Sequence, residues 1–307
     1  MCIREFFYKT NLVIILPILV REIKLSIICE NTTFKPNIYG DFGLSILIES
    51  QLTNDNIIKV LFDTGMNPKT FEHNVAEMKI NLEETSAIII SHGHDDHVGG
   101  LLKALELIGK RIPIIMHPDA LLPKFYYENS KLSYCGIPFS INQIRNKGIL
   151  LLSRGPVRIA PGITVTGQIP RITDYERPSG FLTVRGGEIE NDALWDDQAL
   201  LIEMSDGSLG IITGCGHSGI INIINHAIKL TNKREIKFVI GGLHLFDANI
   251  DRIDKTWSDL KTFNPKIIAP MHCSGIKIIS KILHETPEKF QELHAGDTLS
   301  ISAETAN

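Results

Sequence analysis

Hydrophobic residues in this chain fall into short runs, some alternating with polar positions and some unbroken, with turn residues cutting between them. Ile23-Lys24-Leu25-Ser26-Ile27-Ile28 largely alternates, as a half-buried strand does. Leu44 to Glu49 and Ile58 to Phe62 read as a hairpin joined by the polar turn Thr53-Asn54-Asp55-Asn56. Ala87-Ile88-Ile89-Ile90 is apolar throughout, the pattern of a buried strand, and Ile112 to His117 adds another. Helical patterns run from about Pro68 to Met78 and from Val98 to Leu107.

From Pro118 to about Asp192 the pattern breaks up. Val157 to Ile169 is the clearest strand pair there and Arg171 to Gly180 a polar loop, so residues 118–192 read as an elaboration laid over a site. Tyr126, Tyr127, Tyr134, Arg171, Tyr175 and Arg177 are its candidates for lining a substrate, although surface packing explains each one alone.

The second half then echoes the first. Leu44 to Glu49 followed by Val60 to Gly65 is matched by Gln198 to Glu203 followed by Gly210 to Cys215. Ile88 to His94 is matched by Phe238 to His244, and Ile114 to Pro118 by Ile268 to Cys273. Matches kept in the same order indicate a duplicated strand-strand-helix unit inside one domain spanning residues 23–307. With helices expected at about 218–230, 251–263 and 275–284, two facing sheets with helices outside give a four-layer αββα sandwich. Strand ends carrying His92, His94, His117, Cys215, His244 and His272 would then gather along one edge.

The chemistry centres on Ser91-His92-Gly93-His94-Asp95-Asp96-His97-Val98-Gly99-Gly100, between a strand and a helix. His92 and His94, two apart in extended chain, project to one side, and Asp96 and His97 follow where the backbone curls into the helix. Three histidines and two aspartates within six residues make a chance polar loop a poor explanation. Two pairs of ligands suggest two adjacent divalent metal ions. Imidazole suits zinc first, while the carboxylate admits manganese or iron. Gly99-Gly100 leaves the helix start open to close approach by backbone or substrate.

Composition narrows the context. At 307 residues, 43% hydrophobic and 21% charged, the chain has ample material for a core. A net charge of −4 offers no basic footprint for nucleic acid. Five scattered cysteines without a CxxC pair fit a reducing cytoplasm. The apolar run Leu12 to Val20 is interrupted by Pro17 and is shorter than the ~20 residues a membrane span needs. No small-X-small cleavage site follows it, so residues 1–22 are read as an N-terminal extension.

The His-X-His-X-Asp-His motif after a strand resembles the signature of the metallo-β-lactamase superfamily, and Leu61-Phe62-Asp63-Thr64-Gly65 is similar to that superfamily's first motif. The resemblance implies the αββα metallo-β-lactamase sandwich with a dinuclear site. His217, in Gly214-Cys215-Gly216-His217 between a strand and a helix as in the central motif, joins His92 and His94 on one ion or else merely caps the helix, while Asp96, His97 and His272 hold the second ion. Superfamily members usually carry a further His before this hairpin and an Asp at its end. Here Thr166-Gly167-Gln168 supplies no such His, and Cys215 stands about where the Asp is expected, either as a thiolate ligand or as a small buried residue. Asp63 is assigned to orienting a ligand histidine or bonding loop amides, and Asp196-Asp197 to solvated capping. Asp96 and His244 are the candidate catalytic groups, and His73, His226, His284 and His294 are left structural.

Metal-bound water has a pKa near 7, so these residues alone point to hydrolysis of an ester, amide or phosphodiester. Asp41-Phe42-Gly43-Leu44-Ser45, Asp196-Asp197-Gln198, Gly241-Gly242-Leu243-His244-Leu245 and His272-Cys273 narrow this by resemblance to a dihydropterin synthase-like branch of the superfamily. That branch couples an aminobenzene ribofuranosyl phosphate to a pterin methyl diphosphate and releases diphosphate, in tetrahydromethanopterin-type cofactor biosynthesis. The alternatives are a metal-dependent hydrolase of a phosphorylated or cyclic small molecule, and a catalytically silent metal-binding module. The expected partner is a phosphorylated small molecule rather than nucleic acid or membrane, with homo-oligomerisation left open.

Overall fold

The computed structural model describes residues 17–304, so the readings of Cys2 and of most of the apolar run near the N-terminus lie outside the described residues. The first strand, Val20–Cys29, begins three residues before the expected start, and residues 20–22 therefore belong to the folded unit. It lies in a seven-stranded sheet whose spatial order is Thr298–Ser302, Val20–Cys29, Ser45–Leu52, Ile57–Phe62, Ala87–Ile89, Pro113–Met116 and Ile149–Leu152. A six-stranded sheet runs Ile267–Pro270, Ile236–Gly241, Leu209–Thr213, Leu200–Glu203, Ile163–Val165 and Val157–Ala160.

Side-chain alternation along the strands builds the layers. Ile23, Leu25, Ile27, Ile46, Val60 and Phe62 point inward and meet Val165, Leu200, Ile202, Ile212 and Ile240 of the facing sheet. Residues of opposite parity, Leu47, Leu61 and Ile88, face Phe71 of the helix Pro68–Glu77 and Leu101 and Leu105 of the helix Leu101–Ile108. On the far side Leu201, Ile211 and Val239 pack on Ile224, Trp257 and Ile282, from the helices Ile220–Thr231, Ile250–Thr262 and Ile276–Glu285. This is the αββα sandwich.

The duplication is visible as topology. In each half two antiparallel pairings are followed by two parallel ones, and helices make the crossovers. The strands paired by sequence echo occupy corresponding places in the two sheets.

The segment 118–192 divides differently from expectation. Lys124–Glu128, Lys131–Tyr134, Phe181–Arg185 and Glu188–Asn191 form a separate four-stranded antiparallel sheet. Its middle portion is no elaboration: the helix Ile141–Lys147 leads into Ile149–Leu152, which extends the first sheet in parallel, and Val157–Ala160 with Ile163–Val165 completes the second. Half-exposed apolar residues in Ile149–Leu152 mask the periodicity, as edge strands do.

Candidate metal centre

The strand Ala87–Ile89 delivers the chain to the sheet edge, where His94 precedes the short helix Asp95–Val98. The helix thus starts earlier than the expected Val98, drawing Asp96 and His97 into its first turn. Gly99 and Gly100 do admit a close approach, but by backbone: added Cβ atoms would lie 1.9 Å from Met66 O and 2.2 Å from Thr64 O. The Asp63-Thr64-Gly65 turn is thereby pressed against the histidine loop.

Buried carboxylates then hold the loops from behind. Asp196 Oδ2 accepts the Gly93 amide at 2.8 Å, between the two leading histidines, and Asp197 Oδ2 accepts the Ser218 amide at 2.8 Å, next to His217. Gln198 Nε2 donates to Ile90 O at 2.8 Å. Solvated capping is therefore the wrong description of Asp196 and Asp197, which are fully buried. Burial raises the Asp197 carboxyl, whereas for Asp196 the effect of burial is outweighed by Lys124, and the group is held low.

Hydrogen bonding sets which ring nitrogen faces the centre. Ser91 Oγ donates to Asp63 Oδ2 at 2.6 Å, leaving its oxygen to accept His92 Nδ1–H at 2.9 Å. His97 Nδ1–H donates to Asp63 Oδ2 at 2.7 Å, and His272 Nδ1–H to Asn31 Oδ1 at 2.8 Å. Each of these rings consequently turns Nε2 inward.

Three clusters of ligand atoms result among the described residues, the third being Cys215, His244 and Cys273, and two of them are built on histidines. His92 Nε2 lies 3.0 Å from His94 Nδ1 and 3.2 Å from His217 Nε2. His97 Nε2 lies 3.3 Å from His272 Nε2, 3.1 Å from Cys215 Sγ and 3.5 Å from Asp96 Oδ2, which is 3.1 Å from His272 Nε2. A tetrahedral ion with ligands about 2.0–2.1 Å away spaces neighbouring nitrogens roughly 3.3 Å apart. The donor sets of both groups fit a divalent metal by identity and by spacing. Cys215, buried, stands beside the second group and also clusters with His244 and Cys273.

Protonation differs between the groups. Burial pushes His92 and His217 well below the ordinary imidazole range and His94 down to about 3, so all three are neutral at pH 7. In the second group burial opposes charge on His97 and Asp96, but their mutual attraction, with Asp63 acting on His97, outweighs it. His97 is held well above its usual range and Asp96 well below. Burial and the neighbouring Cys273 raise the Cys215 thiol.

Residues 38–224 match the metallo-beta-lactamase superfamily. The chain belongs to that superfamily. It is 32% identical over 289 residues to the 7,8-dihydropterin-6-methyl-4-(beta-D-ribofuranosyl)-aminobenzene-5'-phosphate synthase of Methanocaldococcus jannaschii, covering 92% of this chain and 98% of the relative. An uncharacterized protein of the same organism is 34% identical over 280 residues, covering 90% and 100%. A solved metal-dependent hydrolase of the beta-lactamase superfamily superposes with a TM-score of 0.76 at 27% identity, covering 91% of this chain and 99% of that one. This metallo-beta-lactamase-fold chain is accordingly an enzyme with a divalent-metal site.

Other residues are distributed unevenly. His244 reaches the same cleft: its ring lies 4.1 Å from that of His217, and its Nδ1 is buried without a partner. His117 does not join the gathering, because its Nδ1 accepts the Asp119 amide and its Nε2 faces Gln168 at 3.3 Å. Of the aromatic and basic candidates only Tyr126 lines the metal cleft. Arg171 instead braces the carbonyls of Ile169 and Leu194, the Tyr175 hydroxyl donates to Asp259 at 2.5 Å, and the Tyr134 hydroxyl donates to Ile137 O. His73 stacks on Tyr39 and His294 meets Thr32 Oγ1 at 2.6 Å, both away from the metals. Sequence reasoning missed Phe181 and Phe246, which line the cleft, and Lys124, which reaches Asp192 at 2.7 Å and Asp196 at 2.9 Å behind it. A lone lysine or phenylalanine in a short strand carries no motif that reveals such a role.

Proposed function

We propose that the protein is a dihydropterin-(ribofuranosyl)aminobenzene phosphate synthase-like transferase with two divalent ions, zinc first and manganese or iron compatible. His92, His94 and His217 would hold one ion, and Asp96, His97, Cys215 and His272 the other. The observation that carries the reading is the end-to-end match to the archaeal synthase.

When bound, such ions supply positive charge for the oxygens of a departing diphosphate. The chain's own residues supply the rest. Asp63, Ser91 and Asn31 take the outward Nδ1–H groups and so keep the Nε2 atoms of His97, His92 and His272 aimed inward. Phe181 stacks on His94, with ring centroids 4.9 Å apart at 25°, and stands 5.3 Å from Tyr126, giving a flat ring an aromatic wall beside the ions. In the coupling step the arylamine nitrogen forms a bond to the pterin methylene carbon as that carbon's bond to diphosphate oxygen breaks. His244, whose ring lines the cleft, accepts the amine proton.

A second reading, hydrolysis of a small phosphoester or cyclic ester, is supported by the 27% identical metal-dependent hydrolase. Incubating metal-loaded protein with a dihydropterin methyl diphosphate, with and without the ribofuranosylaminobenzene phosphate, separates the two. Diphosphate release that requires the amine is the expected result. Release into water alone favours the hydrolase, and no release in either case overturns both in favour of a silent metal-binding module. No helix among the described residues is long and apolar enough to cross a membrane.

A further inference from the structure

Two chain segments link the metal cleft to a second one: Phe246 and Phe181 line the first, and Asp247 and Ser179 the second. The second cleft has a volume of about 530 Å³ and brings together Arg177, Arg252 and Lys255. These three cations come from different elements. Arg252 and Lys255 stand on successive turns of the helix Ile250–Thr262, and Arg177 on the loop leading to Phe181.

None of the three has a carboxylate oxygen within 4.0 Å among the described residues. Arg252 is half-buried, its Nε has no partner, and its one recorded bond is a 3.5 Å donation from a terminal nitrogen to Arg177 O. Glu176, a buried carboxylate that acts on Arg252 through space, is occupied by the Ile221 and Asn222 amides at 3.0 Å each. Lys255 lies 5.9 Å over the Tyr175 ring, whose hydroxyl is committed to Asp259. Asp247 and Asp251 also line the cleft, so three cations face two carboxylates and the excess is positive, in a chain whose net charge is −4. A half-buried guanidinium with no carboxylate in direct contact has donors to spare, and its fork matches phosphate oxygens.

We propose that this cleft binds the phosphomonoester of the second, amine-bearing substrate, with Arg252 as its principal contact and Lys255 and Arg177 at its rim. The assignment rests on the transferase reading, which supplies a second substrate carrying a phosphomonoester. Each substrate then has its own cleft, and the two react where the segments through Phe246-Asp247 and Ser179 to Phe181 join them.

The test is a titration of the metal-loaded protein with ribose 5-phosphate, followed by calorimetry, with ribose as the control. It does not depend on turnover, so loss of the transferase reading and loss of this site are distinguishable. Phosphate-dependent binding is expected, roughly tenfold weaker in Arg252→Gln and weakened also in Lys255→Gln, with Arg252→Lys retaining part. Lys255 is on the helix surface, which keeps the test meaningful should Arg252→Gln fail to fold. Equal binding in the wild type and both glutamine variants would place the phosphate at the metals and overturn the proposal, as would no binding by the wild type.

Discussion

Asp63 Oδ2 lies 2.7 Å from His97 Nδ1, and the same oxygen accepts the Ser91 hydroxyl at 2.6 Å. One carboxylate oxygen thereby orients a histidine of each metal group, His97 directly and His92 through Ser91. Replacing Asp63 by Asn offers one carbonyl oxygen and an amide whose hydrogens face these donors. Affinity for metal should drop about 10- to 100-fold, the usual effect of losing an orienting partner. Both groups should weaken together, as measured by competition with a chromophoric chelator; unchanged affinity would show that packing alone sets the rings.

Separation of the ligands into two sets makes metal content divisible. His94→Ala should leave a folded protein with about half the wild-type metal, and His272→Ala the other half, by elemental analysis after gel filtration. Cys215→Ser should alter the charge-transfer absorption of the cobalt-substituted protein if sulfur is a ligand. An identical cobalt spectrum would return Cys215 to a packing role.

The contrasting protonation of the groups predicts unequal proton release. His92, His94 and His217 are already neutral at pH 7, so filling their group displaces no proton. Filling the other displaces one from His97, whose range is raised, and one from the Cys215 thiol, also raised. Affinity at the second group should therefore rise steeply with pH around neutrality, by up to about two log units per pH unit, while the first stays flat. Without metal the sign for His97 reverses: its raised range stabilises the fold below the usual imidazole range, and that contribution is lost as pH climbs through the raised value. Calorimetric titrations in buffers of different ionisation enthalpy count the protons; equal release at both groups would contradict the assignment.

Much of this was legible in the chain because the repeat shows itself twice. The apolar strands and the histidines at their ends recur in order, so the sandwich and the convergence of His92, His94, His97, His217 and His272 could be read from periodicity, motif and resemblance. The third small sheet could not, since Lys131–Tyr134 and Glu188–Asn191 are exposed throughout and leave no alternating signature. Nor could the role of Asp196 be read, because its partner Lys124 is 72 residues away and the pair exists only once the small sheet folds back. His117 misled for the opposite reason: it stands at a strand end like the ligands, yet its ring turns to cap the following turn.

The Lys124 ammonium is the post on which that small sheet is joined to the metal loop. It is buried between Asp192 and Asp196, and their attraction outweighs the effect of burial, so it stays charged with its range raised. Lys124→Met removes the cation and strands two carboxylates in the interior, a loss of about 3–5 kcal/mol by precedent for broken buried pairs. The expected urea midpoint is correspondingly lower, and Lys124→Met combined with Asp192→Asn should recover part of it by removing one stranded charge. Because Asp196 also holds the Gly93 amide, metal should be lost preferentially from the His92, His94 and His217 group, with the His97 and His272 group retained. A variant that is destabilised yet keeps both groups equally filled would show that the Lys124 to Gly93 connection carries stability without positioning the metal ligands.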